Sequence, residues 1–242
     1  MGSMTAKNGF KNELDIADRF NNWKTDREAK IWLELMQYNL EDIEFVRAEV
    51  IRGHKADINV QITIKLTKLI DIENLQVKLV SNKKGFNQID KRWLKSYTEM
   101  WSIDEKVLAL LRHYTGELPP YKPSRDSRRM FLDEFSEEER QSIISFFEKN
   151  RMLIVQDILR GRGRFSADWV LVAQRLPSNA RWVLRPISEV ISHYFADGSV
   201  IVTRDGNLRI GRIGIQRKGG DGGKPTANML QFKIDPVELF DV

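Results

Sequence analysis

Two stretches in which polar and apolar residues alternate constrain the fold of this chain most strongly. They are residues 57–64 (DINVQITI) and residues 75–80 (LQVKLV). Alternation at every second position predicts β-strands with one buried face and one polar face. If a short turn joins the strands into an antiparallel hairpin, Asp57 can lie beside Gln76 and Lys78, which are two residues apart and share a face. The apolar positions that then face a core are Leu75, Val77 and Leu79.

The polar face of this hairpin has two interpretations. An Asp and a Gln-x-Lys triplet occur on many solvated sheet faces, so the pattern alone is weak. The same groups also suit phosphodiester hydrolysis, because Mg²⁺ prefers oxygen ligands and one or two carboxylates with a backbone carbonyl can hold it. Asp57 and the Val77 carbonyl offer such oxygens, and the Lys78 ammonium could orient a water and stabilise negative charge. Gln76 offers only a neutral oxygen or an N–H donor.

Composition removes several classes of function. The 242 residues include no cysteine, which excludes disulfides, thiolate metal sites and cysteine nucleophiles, and the three histidines do not form an HExxH pattern. Thirty-nine Lys and Arg against 34 Asp and Glu give a charge of +5, which is compatible with a polyanionic partner without requiring one. No run of 18 apolar residues and no apolar signal core occur, so we expect neither a membrane helix nor secretion.

Periodicity and turn residues predict the remaining elements. Helix 8–22 would begin at an Asn8 N-cap and bury Phe10, Leu14, Ala17 and Phe20, with Ile16 off the edge of this stripe. The other predicted helices cover residues 27–37, 40–50, 89–112, about 136–149, about 151–159 and 187–194. The helix predicted at about residues 136–149 would begin with a capping box formed by Ser136 and Glu139. Further strands are predicted at residues 169–173, 181–184, 200–203, 208–215 and 229–234.

Three polar or basic segments are candidates for binding. The loop 81–88 (SNKKGFNQ) holds an aromatic residue between cations and amides, which suits a loop that wedges between base steps and contacts base edges, although a loop Phe more often anchors its own domain. The segment 160–164 (RGRGR) fits a glycine helix terminus and a phosphate-binding loop equally well. The segment 218–224 (KGGDGGK) is either a mobile hairpin connection or a loop that becomes ordered on a polyanion.

The residues Ala56-Asp57 and Gln76-Val77-Lys78, with eighteen residues between Asp57 and Gln76, resemble a variant of the PD-(D/E)xK nuclease motif. The chain as a whole resembles the HinP-type family of type II restriction endonucleases, which cut GCGC. Members of that family share the departure to Gln at the position of Gln76, whereas Ala56 stands where they have serine. The segments that carry the resemblance are TAKNGFKNELDIADRF, VKLVSNKKGFNQIDKRWL, RHYTGELPPY, DILRGRGRF, IQRKGGDGGKPTANMLQFKIDP and ELFDV.

The resemblance implies an α/β (α+β) restriction-endonuclease-like fold: a mixed central sheet flanked by helices, with a helical N-terminal region and a β-rich C-terminal region. We expect a single domain over residues 1–242, with a catalytic core at about 5–113, a helical insert at about 127–160 and a β-rich DNA-binding part at about 165–242. The implied activity is hydrolysis of double-stranded DNA at a short CG-containing palindrome, expected to be GCGC cut after the first G. Mg²⁺ would be the cofactor, Mn²⁺ would substitute for it, and Ca²⁺ would support binding only.

The resemblance also assigns roles to residues. Asp57, Glu13 and the Val77 carbonyl would bind metal, Lys78 would position the water, and Gln76 would complete the catalytic site. Glu13 could equally be a solvated helix charge. The residues expected to contact DNA are Lys83, Lys84, Phe86, Asn87, Gln88, Lys91, Arg162, Arg164, Arg217, Lys218, Lys224 and Gln231.

The implied protein acts on double-stranded DNA in the bacterial cytoplasm without a membrane or a second kind of protein, as a monomer or a back-to-back homodimer. Two other functions remain open from the sequence. One is a repair or junction nuclease of the same fold that recognises DNA structure, and the other is a DNA-binding module without catalysis.

Overall fold

The computed structural model describes residues 2–51, 60–66, 69–83, 85–177 and 179–242, without the side chains of residues 2–9. Its helices are α1 (Gly2–Asn21), α2 (Arg27–Leu35), α3 (Leu94–Trp101), α4 (Glu105–Thr115), α5 (Glu137–Leu159) and α6 (Ile187–Phe195). Its strands are β1 (Ile43–Val50), β2 (Val60–Leu66), β3 (Ile70–Val80), β4 (Asn87–Arg92), β5 (Trp169–Leu176), β6 (Asn179–Pro186), β7 (Val200–Val202), β8 (Leu208–Ile210), β9 (Ile213–Arg217) and β10 (Leu230–Ile234). The expected α+β fold with sheets flanked by helices is confirmed.

The chain divides into two compact units. Unit 1 contains residues 1–85, 159–190 and 235–242, and unit 2 contains residues 86–158 and 191–234. This division into two units does not test whether residues 1–242 form a single domain, which stays a prediction.

Unit 1 is built on a mixed five-stranded sheet in the order β1-β2-β3-β5-β6. The β2–β3 hairpin predicted from alternation is present, with Val60 opposite Leu75, and β3 runs parallel to β5 on its other side. Helices α1 and α2 cover one face of the sheet and contribute Ile16, Phe20 and Trp32 to its core. Asn21 at the end of α1 fixes the helix to the edge strand, since its amide exchanges hydrogen bonds of 3.0 and 2.8 Å with the backbone of Ala48.

Unit 2 is built on an antiparallel five-stranded sheet in the order β4-β10-β9-β8-β7. Its core joins this sheet to the helices: Tyr97 stacks on Trp101, and both rings meet Phe232 edge-on. The indole of Trp101 donates to Asp157 of α5 at 2.8 Å, so a buried polar pair fixes α3 against α5. The capping box at the start of α5 is confirmed, because the backbone N–H groups of Ser136 and Glu139 each donate to the other residue's side chain.

Several predicted elements are wrong. Residues 43–50 form a strand, not a helix, and residues 87–92 form β4 before two separate helices begin. Helix α5 is continuous through residue 150, and the predicted strand 208–215 is two strands. Helix α1 begins at Gly2, so Asn8 is not its N-cap, and it is Ile16 that is buried while Phe10 and Leu14 are exposed.

None of the helices in the described residues is long and apolar enough to cross a membrane.

Candidate active site and nucleic-acid interface

The central strand β3 carries the glutamine and the lysine of the sequence motif. Leu75 and Val77 point into the core, as predicted, so Gln76 and Lys78 share the opposite face. Gln76 is only 1% exposed, and its Oε1 atom has no hydrogen-bond partner among the described residues. Lys78 is half-buried. The sequence alone does not decide whether this polar face is solvated surface or an active site. In the structure the face is largely shielded from water, and the buried side-chain oxygen of Gln76 is available to bind a ligand.

A carboxylate on helix α1 is electrostatically coupled to Lys78. Glu13 is half-buried. Burial raises the pKa of the Glu13 carboxyl, and the positive charge of Lys78 lowers it again. Partial burial sets Glu13 apart from a fully solvated helix charge, and its metal-binding role stays a prediction.

Asp57 and Lys84 lie outside the described residues. The first described residue of β2 is Val60, three positions after Asp57 in the sequence, and it pairs with Leu75. The metal-binding role of Asp57 thus stays a prediction. In the parts of the chain that the structure describes, no three His, Asp or Glu side chains converge on one point.

The loop that follows β3 is fixed at both ends. The Gln174 side chain, on the neighbouring β5, donates to the Asn82 carbonyl at 2.8 Å, and the Gly85 N–H donates to Asp235 at 3.4 Å. Lys83 within the loop is exposed. Gln174 was not predicted from the sequence. A glutamine directly after the apolar strand residues 169–173 is nevertheless a signal of a buried polar contact.

In unit 2, β4 presents Gln88 and Lys91 to solvent, and Phe86 immediately before the strand is 65% exposed. Phe86 is thus not an anchor buried in its own unit. Asn87 begins the strand, half-buried, opposite Ile234. Gln231 of β10 lies opposite Lys91 and donates from Nε2 to the Gln88 Oε1 atom at 3.0 Å.

An aspartate that the sequence analysis did not single out organises the lysines beside this strand. Asp221 forms an ion pair with Lys218 and accepts a 2.6 Å hydrogen bond from the Thr226 hydroxyl. Burial and the charge of Lys218 lower the pKa of Lys91, and Asp221 opposes the shift. The segment KGGDGGK does indicate this ion pair, because its single aspartate lies between two lysines and can pair with either one.

Arg217 and Lys224 line a cavity of about 370 Å³, together with Arg128. Arg217 donates to the Asn228 side chain at 2.8 Å, which fixes the guanidinium. Burial and the nearby charge of Arg128 lower the pKa of Arg217. Glu117 also lines this hollow and Arg128 is paired with Asp126, so a phosphate-binding role of Arg217 and Lys224 stays a prediction. Arg128 was not predicted, because no local pattern connects it with residues 217–224.

The RGRGR segment belongs to unit 1. Gly161 adopts a φ of 78° two residues after α5 ends, as expected for a glycine that terminates a helix. The Arg164 carbonyl accepts a 3.3 Å hydrogen bond from Asn74 of β3, so this segment is held near the strand that carries Gln76. Arg162 and Arg164 are exposed, and the Arg164 guanidinium lies 4.5 Å from the Phe165 ring centre. The helix-terminating role is thus seen, and the phosphate-binding role stays a prediction.

The fold is that of a restriction endonuclease. It is similar to the crystal structure of restriction endonuclease MspI in complex with its cognate DNA, with a TM-score of 0.64 over 93% of this chain and 88% of that chain, at 17% sequence identity. Residues 36–240 match the model of the R.HinP1I restriction endonuclease family, and the chain belongs to this family. None of the curated proteins matches the chain.

Proposed function

We propose that this protein is a Mg²⁺-dependent type II restriction endonuclease that hydrolyses double-stranded DNA at a short CG-containing palindrome, GCGC cut after the first G. The observation that supports the proposal is a face of β3 that carries Lys78, electrostatically coupled to Glu13, and the buried Gln76 oxygen, which has no hydrogen-bond partner among the described residues. Membership of a restriction endonuclease family supplies the reaction type.

The residues at this face fit a magnesium ion. Mg²⁺ takes oxygen ligands, and a buried oxygen without a hydrogen bond is stabilised when a cation or its water occupies the space before it. Asp57, Glu13 and the Val77 carbonyl would hold the ion, and Gln76 would complete the site as a ligand or an orienting group. When bound, the ion would lower the pKa of a water molecule and neutralise charge at the scissile phosphate.

Side chains of the protein would have separate roles in the reaction. The Lys78 ammonium would donate to the attacking water and stabilise the negative charge that develops on the phosphate oxygens. The charge of Lys78 opposes the rise that burial causes in the pKa of Glu13, and partial burial of both groups strengthens their electrostatic effects relative to water. With Gln76 in place of a carboxylate, the site has less negative charge, so the ion would depend on DNA phosphate oxygens for part of its affinity.

Recognition of DNA would use aromatic, polar and basic side chains from several segments. Phe86 would wedge between base steps, and Gln88 and Lys91 would contact base edges. Arg217, Lys218 and Lys224, together with the exposed Lys83, Arg162 and Arg164 and with Lys84, would neutralise phosphates.

Digestion of a plasmid of known sequence with Mg²⁺, followed by sequencing of the ends, tests the proposal. Discrete fragments whose 5′ ends begin with CGC, at positions where the plasmid reads GCGC, are the expected result. Asp57→Ala and Lys78→Ala should each abolish cleavage while binding of the same DNA in Ca²⁺ persists, with Gln141→Ala on the exposed side of α5 as a control. Ends at unrelated sequences, or a preference for branched DNA, would refute site-specific cleavage. Native cleavage by either catalytic variant would show that the active site is elsewhere.

A further inference from the structure

The irregular pairing of β4 sets which side chains share its outer face. Phe232 pairs with Asp90 and the next residue of β10, Lys233, pairs with Gln88, so Ile89 is an extra residue on β4. Such a β-bulge changes the direction of the side chains that flank it. Ile89 and Asp90 are both buried, and Gln88 and Lys91, three positions apart, are both exposed. In a regular strand, residues three apart would lie on opposite faces.

The buried side chain of Gln231 contacts this face through a hydrogen bond to Gln88. It lies opposite Lys91, is only 7% exposed, and donates its Nε2 hydrogen to the Oε1 atom of Gln88. The oxygen of Gln88 is thereby engaged within the protein. The hydrogens on the Gln88 Nε2 atom then become the groups that the side chain offers outward, beside the three donors of the Lys91 ammonium.

Two neighbouring side chains that both offer donors distinguish purines. Guanine presents two acceptors in the major groove, O6 and N7, whereas adenine presents the N7 acceptor and an N6 donor. A glutamine free to use both ends of its amide pairs well with adenine, by donating to N7 and accepting from N6. With its oxygen occupied, Gln88 would leave the adenine N6 group without an acceptor, which carries a desolvation cost.

We propose that Gln231 is a positioning residue that fixes the amide orientation of Gln88, so that Gln88 and Lys91 together select guanine and reject adenine. The inference rests on the proposed function, because it assumes that this face of β4 meets base edges in a DNA groove. The placement of the pair supports it, because Gln88 and Lys91 are both exposed on the face that Gln231 underlies.

Two substitutions change the orientation in different ways. In Gln231→Glu the new carboxylate can only accept, so it would bond the Gln88 Nε2 group and turn the Gln88 oxygen outward. In Gln231→Leu neither orientation is favoured. Both variants, the wild type and the control Gln141→Leu are used to select duplexes from a library with four randomised base pairs, in Ca²⁺ so that binding is read without cleavage.

The preference for guanine over adenine at one position of each half-site should fall roughly tenfold in Gln231→Leu and further in Gln231→Glu, with adenine becoming accepted. Binding to unrelated DNA should change by less than about twofold, because phosphate contacts are untouched. In a Gln88→Ala background, Gln231→Leu should have no further effect on the base preference. A residue with a purely structural role would instead lower affinity for all sequences and thermal stability together.

An unchanged guanine preference in a folded Gln231→Leu protein, with the wild type selecting a defined sequence, would overturn the inference alone. If the wild type selects no sequence at all, both the inference and the proposed function are refuted. Should Gln231→Glu fail to fold, Gln231→Leu and the Gln88→Ala comparison decide the question without it.

Discussion

Replacing Gln76 by glutamate probes the buried face of β3 directly. The substitution keeps the shape of the side chain and adds a charge at a position that is 1% exposed. An uncompensated buried charge costs about 3–5 kcal/mol. Lys78, two residues along the same strand face and so roughly 7 Å away, returns about 2 kcal/mol at an effective dielectric constant of about 20. We therefore expect a net loss of roughly 2 kcal/mol in the free energy of unfolding at neutral pH.

For a chain of this length, that loss lowers the melting temperature by about 4–8 °C. The pH dependence follows from the sign of the pKa shift. Burial would raise the pKa of the new carboxyl above its unfolded value, so the folded state binds more protons and its stability relative to wild type increases as the pH is lowered. Mg²⁺ at about 100 times its dissociation constant should restore up to about 2.7 kcal/mol.

Calorimetric or fluorescence melting curves at several pH values, with and without Mg²⁺, provide the measurement. Gln141→Glu, on the exposed surface of α5, is the matched control, because it changes the net charge equally without burial. A Gln76→Glu protein that melts with the wild type at neutral pH in the absence of metal would contradict the buried position of this residue. A melting temperature that falls as expected but does not respond to Mg²⁺ would contradict the metal site.

Three further outcomes are expected. Phe86→Ala should weaken binding to the preferred sequence but not salt-sensitive binding to unrelated DNA, measured by fluorescence anisotropy; equal losses on both would argue against wedging. Isothermal titration of the DNA-free protein should detect no micromolar Mg²⁺ binding, and tight binding would show that the site does not need phosphate oxygens. Arg217→Ala and Lys224→Ala should each reduce the slope of log K against log salt by about 0.9, whereas an unchanged slope would exclude a phosphate contact.

The sequence predicted the β2–β3 hairpin because both strands keep a strict period of two, and that period is a local property of the chain. It failed at β1 and β4 for one shared physical reason. The pairing of β1 shifts between Ile43 and Phe45, which breaks the alternation and buries Ile43 and Val46 at a spacing of three. A bulge in a strand therefore imitates the spacing of a helix face.

The candidate site was predictable in residue type but not in environment. The motif named Gln76 and Lys78, and the resemblance to a family named Glu13. The coupling of Glu13 to Lys78 depends on a helix more than fifty residues earlier in the chain, and the burial of Gln76 is a property of the assembled sheet; no local pattern contains that information. The buried face of helix α1 was predicted in part: Ala17 and Phe20 are buried as expected, but Ile16 replaces Phe10 and Leu14, since the helix has apolar residues on more than one side and only the sheet decides between them.

The division of the chain also determines when the proposed catalytic centre can come into existence during synthesis. The strand with Gln76 and Lys78 is made early, but β5 beside it belongs to residues 159–190 of the same unit, and the buried Leu239 to residues 235–242. At about 5–20 residues per second, the ribosome needs roughly 10–30 s to reach that last segment after the hairpin. During that interval unit 1 is incomplete around β3. The nascent chain therefore already carries the motif but cannot yet form the fold that would make it a nuclease.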